Sequence, residues 1–264
     1  MRDWDRVSCE VSGDARETQE EPHPLAGIAT DAPSPDLSGC FPTLVHCGIE
    51  YGLSQLLSEV FQLLLRTLVL SEEELRQVSG GWHFESLKGY SREISASLSR
   101  LPTARGGRNT LAEKLMAAAR DHAVELPTIS AALHPREVTA RHRREMLART
   151  LSRQPIGRLG LDPESVLIEM HGAFLAAMII TYAEGLSLLA AVPAPSGAPL
   201  DVVESVRLWK EGIPTRSSLL EEIAFAFEMT PNLPSLLCDD AISEKLMEHQ
   251  EFLRRAIWRA HHLD

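Results

Sequence analysis

Cysteine is scarce in this 264-residue chain: Cys9, Cys40, Cys47 and Cys238 form no CxxC pair and no zinc-ligand spacing. That excludes a disulfide-stapled scaffold and a thiolate metal site, and leaves reduced thiols in the cytoplasm as the expected state. Basic charge is also in deficit. With 26 Lys and Arg against 37 Asp and Glu, the net charge is −11 and the pI near 5.4. A nucleic-acid surface needs clustered cations, so none is expected. The N-terminus has no basic stretch followed by an apolar one, which a signal peptide requires. GxGxxG and P-loop patterns are missing, and with them any dinucleotide or nucleoside triphosphate cradle in this sequence. HExxH and GxSxG are missing as well. No series of short alternating Val, Ile and Thr stretches bounded by turn residues occurs, which argues against a sheet and for an all-α fold.

What is present divides at about residue 38. Residues 1–38 hold nine acidic and three basic side chains with Pro22, Pro24, Pro33 and Pro35, too little apolar surface to offset the entropy of ordering. They are expected to be a disordered leader, and residues 39–264 one helical domain. Leu53, Leu56, Leu57, Val60, Phe61, Leu64, Leu65 and Leu68 recur at three- and four-residue intervals, the stripe of a helix with one buried face. Ser71 and Glu74 stand in capping-box register, as do Ser218 and Glu221 ahead of "IAFAFEM". Asp162 and Pro163 read as an N-cap and first helical residue. Residues 173–192, "AFLAAMIITYAEGLSLLAAV", are long enough to cross a bilayer, but Glu184 and Gly185 lie inside and no Lys or Arg cluster flanks them. The expectation is a helix buried at the centre of the domain, with no membrane partner.

The stretch "LVHCGIEYG", residues 44–52, carries the chemistry. If the striped helix already exists at residue 43, Thr43, His46, Cys47 and Glu50 share one face, and Glu50 lies at the edge of the core. A carboxylate beside apolar surface has a raised pKa and suits proton donation near neutral pH. The structural alternative is a Glu that caps or pairs locally with a neighbouring Arg. The basic run 136–149 reads as a solvated helix face, and His261 and His262 have no third ligand at metal spacing.

"VHCGIEYG" resembles "VHNGIEYG", a signature of the 6-phosphogluconate dehydrogenase family at the start of its all-helical C-terminal domain. Further stretches follow in family order: "GGWHFESLKGYSREISASL", "TISAAL", "AAMIITYAEGL", "LWKEGIPTRSSLLEEI" (similar to "MWRGGCIIRS"), "TPNLPSLLCDD" and "FLRRAIWRA". The resemblance implies an all-α domain with a long central helix that builds most of a homodimer interface. It implies an NADP-dependent oxidation of 6-phosphogluconate at C3 and loss of carbon dioxide to give ribulose 5-phosphate. NADP belongs to a Rossmann-type domain ahead of this region, so no cofactor is expected in this chain, and a separate nicotinamide-domain chain is a possible partner.

Carried over by position, the resemblance makes Glu50 the general acid, His46 and Tyr51 substrate contacts, and Arg141 of "VTAR" the holder of the substrate phosphate. Other positions depart from the pattern. Thr43 in "FPTLVHCGIEYG" replaces the general-base lysine of "FVKMVHNGIEYG", and a hydroxyl cannot take that proton near neutral pH. Pro42 beside it lacks an N–H. Cys47 replaces a substrate-binding asparagine, and "HAVELPT", residues 122–128, replaces "KGTGKWT", losing both lysines and both glycines. The family's C-terminal tail, which reaches the partner subunit's active site, has no counterpart after "AHHLD". The expected function is a decarboxylating 6-phosphogluconate dehydrogenase-like substrate-binding and dimerisation domain of the pentose phosphate pathway, inactive alone. The alternatives are a non-catalytic oligomerisation or interaction protein, and a redirected acid catalyst using Glu50 without redox chemistry. Ile257 and Trp258 are expected to be partly uncovered and to favour self-association.

Overall fold

A computed structural model describes residues 37–68, 82–100, 107–133, 162–194, 197–210 and 216–263. Among these residues there are eight α-helices and no strand, as the missing sheet pattern predicts. They are α1 (Leu37–Leu68), α2 (Trp82–Arg100), α3 (Gly107–Asp121), α4 (Pro127–Leu133), α5 (Pro163–Ala191), α6 (Val202–Lys210), α7 (Ser217–Met229) and α8 (Asp240–Leu263), with a 3₁₀ turn at Leu236–Cys238. One isolated bridge joins Pro193 and Pro199. Residues 1–36 of the leader, the Ser71–Glu74 capping box, the basic run 136–149 and Arg141 lie outside the described residues; Leu37 and Ser38, expected in the leader, already belong to α1.

Two long helices form the frame. In α1 the leucine stripe behaves as its spacing requires: Leu53, Leu57, Val60, Leu64 and Leu68 are buried, while Leu56, Phe61 and Leu65 pack half-buried against the core. The helix runs through Pro42, so its first turns lack one backbone donor. Helix α5 opens as expected, with Pro163 at its start and the Asp162 carboxylate accepting the Ser165 N–H at 2.9 Å. Its apolar stretch meets the length and composition of a membrane span, but 72% of that window is buried inside the fold. It is the domain's central helix.

Helix α5 is surrounded because each neighbour needs it. Helices α1, α2, α4 and α8 all pack on it, and α6 pairs with α7 beside them. A Cβ on Gly185 would come within 2.6 Å of Ile49 Cδ1 and Cγ1 and 3.3 Å of Val45 Cγ1. Only glycine lets α1 approach α5 this closely, at the height of Glu50. On the opposite flank Arg259 of α8 grips Glu169 of α5 through two hydrogen bonds of 3.0 and 2.9 Å, a bidentate pair that fixes the two helices in register.

The Ser218–Glu221 capping box does not form. Helix α7 begins directly after Arg216, whose backbone (φ −103°, ψ 2°) makes no side-chain cap. The side chain at the cap position is drawn into the core, and Glu221, one turn into the helix, pairs with Lys210 instead.

Candidate active site

The side chains of four helices and of the residue before α7 converge on a buried polar centre. From α1 come His46 and Glu50, which one turn of helix stacks on the same face. Helix α2 supplies Glu93, α5 supplies Tyr182, α6 supplies Trp209, and Arg216 enters ahead of α7. Glu50 is 0% exposed and Arg216 1%.

The guanidinium organises the centre. Arg216 Nη1 donates to Glu50 Oε1 at 2.8 Å and Nη2 to Glu50 Oε2 at 3.3 Å, so the planar fork meets the carboxylate with both arms. Nη1 also donates to the Tyr182 hydroxyl at 3.1 Å, and Nε donates to Glu93 Oε2 at 3.4 Å. His46 Nε2 lies 3.2 Å from Glu50 Oε1. The His46 ring stacks on the Trp209 indole, with centroids 5.1 Å apart and planes within 5°. His46 Nδ1 has no hydrogen-bond partner among the described residues.

These distances decide the charge on Glu50. Burial alone would raise its pKa, but the Arg216 charge, followed by His46, outweighs burial and holds the carboxyl below its ordinary value. The expectation of a raised pKa is therefore corrected: Glu50 is paired, and the partner is not the neighbouring arginine of the alternative but one 166 positions along the chain. At neutral pH this Glu50 is an ionised acceptor, not a poised donor. Burial also opposes the Arg216 charge, yet Tyr182, Glu50 and Glu93 together push its pKa up. Burial raises Tyr182 as well. The Cys47 thiol is pushed up to about 12, first by burial and then by the charge of Glu50, which leaves it inert as a nucleophile.

The remaining expected site residues fall as follows. Tyr51 is half-buried and packs against the core. Thr43 is half-buried in α1, one helical turn before His46. Arg141 is outside the described residues, so its expected role has no geometry here. The loop compared with "KGTGKWT" is a tight turn, and Ala123, at the place of that pattern's first glycine, takes φ +55°, in the region glycine favours. His262 Nδ1 lies 2.8 Å from the Trp258 carbonyl, and no cluster of three metal-ligating side chains occurs among the described residues.

Arg216, Glu93 and Tyr182 were not singled out from the sequence, although a signal existed. Each lies in one of the stretches that carry the family resemblance, and "RS" is shared by "PTRSS" and "CIIRS". The motifs are far apart in sequence because each delivers one side chain to the same centre.

Together the helices enclose an ion-paired core within an all-helical domain. A family model described as "6-phosphogluconate dehydrogenase, C-terminal domain" matches residues 39–264. The chain belongs to that family. It is 31% identical over 242 residues to a chloroplastic decarboxylating 6-phosphogluconate dehydrogenase of Spinacia oleracea, covering 83% of this chain and 44% of that protein. It is 27% identical over 263 residues to the Synechocystis enzyme of the same description, covering 90% and 55%. The solved Plasmodium falciparum 6-phosphogluconate dehydrogenase, described in apo form and in complex with NADP+ and with 6-phosphogluconate, shares the fold. Its TM-score is 0.67 at 23% identity, over 85% of this chain and 51% of that one. The chain spans about half the length of the curated relatives it matches.

Proposed function

We propose that these residues form the substrate-binding and dimerisation domain of a decarboxylating 6-phosphogluconate dehydrogenase-like protein that does not oxidise the sugar acid by itself. The observation that carries this reading is the Glu50–Arg216 pair. The family's acid is retained in a pre-formed, hydrogen-bonded setting, while the base position is Thr43. The ligand is a phosphosugar acid such as 6-phosphogluconate, held by His46, Tyr51 and Arg141, with Glu50 at the family's acid position, ionised until a ligand disturbs its pairing with Arg216. NADP is held outside the matched residues, by a nicotinamide-binding domain or chain, and the setting is the cytoplasm.

Phe225, Met229, Met247, Ile257 and Trp258 are each more than half exposed on α7 and α8. Apolar side chains of this size on the outer helices support a homodimer.

Calorimetric titration with 6-phosphogluconate and ribulose 5-phosphate tests the reading. Saturable binding that is lost in Arg141→Ala and altered in Glu50→Gln is expected, with no reduction of NADP by the chain alone. No heat from either sugar removes the substrate-domain reading. The full pairing of Glu50 in the core favours one alternative, a non-catalytic oligomerisation protein. That alternative predicts a dimer by light scattering whose stability, but not ligand affinity, responds to Glu50→Gln.

A further inference from the structure

Arg216 can hold Glu50 in two ways. Either the pair is sufficient in itself, or something fixes the guanidinium so that its fork points at Glu50. The guanidinium is a rigid plane with five donors, so anchoring Nε sets the direction of both Nη atoms. Glu93, more than nine-tenths buried on α2, accepts from Nε at 3.4 Å, while Nη1 and Nη2 serve Glu50. Tyr182 takes a further Nη1 donation.

We propose that Glu93 is a positioning residue: it acts on Glu50 through Arg216, holding the guanidinium so that the carboxylate of α1 is clamped in its ionised form. This rests on the reading of Glu50 as the site's acid, but concerns the device that sets its protonation rather than any ligand. The groups facing the centre are His46, Cys47 and Glu50 from α1, Tyr90 and Glu93 from α2, Tyr182 from α5, and Arg216 itself.

Glu93 also carries a negative charge of its own. As a mere electrostatic neighbour it would disfavour ionised Glu50, and its removal would lower the Glu50 titration midpoint. As a positioning residue it has the opposite effect. Without it Arg216 is free to turn away, the main cation is lost, and the midpoint rises. The two roles differ in sign.

The test is carbon-13 NMR titration of side-chain-labelled glutamates in the full chain, with Glu50 assigned by Glu50→Gln. In Glu93→Leu, which keeps no acceptor for the Nε–H, the Glu50 midpoint is expected to rise by about one pH unit, the lower end of what one nearby opposite charge contributes. A midpoint that is unchanged or lower overturns the proposal. A variant that does not fold leaves a second measurement on the unmodified protein. The Arg216 Nε–H should exchange with solvent far more slowly than that of the exposed Arg254, and equal exchange overturns the proposal. Phosphosugar binding is read separately. Binding without the midpoint rise removes the role of Glu93 alone, and the rise without binding removes only the substrate reading.

Discussion

Glu184, in the last third of the most apolar of the described helices, delivers its carboxylate to the first turn of α4, where Thr128 donates its backbone N–H to Oε1 at 3.1 Å and Oε2 at 3.0 Å. Ile129 N donates to the same Oε2 at 3.2 Å. An acid that looks misplaced in α5 is thus the cap of another helix, satisfying donors that a helix start leaves open. Glu184→Leu, which composition alone would rank as neutral in so apolar a helix, is expected to cost about 1–3 kcal/mol, because two largely buried N–H groups lose their acceptor. Glu184→Gln should recover part of the loss. Denaturant midpoints at constant slope measure both, and an unchanged midpoint for Glu184→Leu removes the capping role.

Gly185 follows directly and sets the spacing of α1 and α5. Gly185→Ala places a methyl 2.6 Å from Ile49 and should destabilise the fold by about 1–3 kcal/mol, the usual cost of overpacking. In combination with Ile49→Ala the loss should be smaller than the sum of the two single variants. Additive losses would show that the close approach is not the reason for the glycine.

At Ala123 the expected sign is reversed. A non-glycine residue at φ +55° carries roughly 1–2 kcal/mol of left-handed strain, of which glycine would return part in unfolded-state entropy. Ala123→Gly should therefore stabilise the protein by about 0.5–1 kcal/mol. A lower melting temperature for this variant contradicts the assignment.

Acid should loosen the junction of α2, α5 and α8. His171 of α5 is buried beside His83 and Tyr90 of α2, and the pKa of His171 is lowered to about 4, chiefly by burial and then by the charges of His83 and His249. A histidine whose folded pKa lies below its unfolded value takes up its proton more readily when unfolded. Its contribution is constant above pH 6.5, and stability is lost as pH falls from 6.5 towards 4. Melting temperatures across that window should fall less steeply in His171→Phe than in the natural chain. Parallel curves would assign the acid sensitivity to other groups.

The frame of this fold was readable because its signals are local. The stripe of α1, the Asp162–Pro163 start of α5 and the apolar run that follows each lie within one helix, where spacing determines which face is buried. That Glu50 faces the core was readable for the same reason, although it lies fully inside and not at the edge. Its protonation was not, because this depends on Arg216, and nothing in the "VHCGIEYG" stretch itself encodes a partner 166 positions away. The capping box at Ser218 failed through the same contact, since the core claims the Arg216 side chain at the position where a cap would sit. Glu184 shows the converse, an evident anomaly in α5 whose explanation lay in α4.

The distance along the chain between the partners of Arg216 has a kinetic consequence. Positions 50, 93, 182 and 216 meet at one point, so α1 and α2 alone can enclose Glu50 only as the protonated acid or as a charge that Arg216 does not pair. Loop closure over such separations is slow compared with helix formation. The ion-paired form of the centre is therefore expected only once the segment carrying Arg216 has docked ahead of α7.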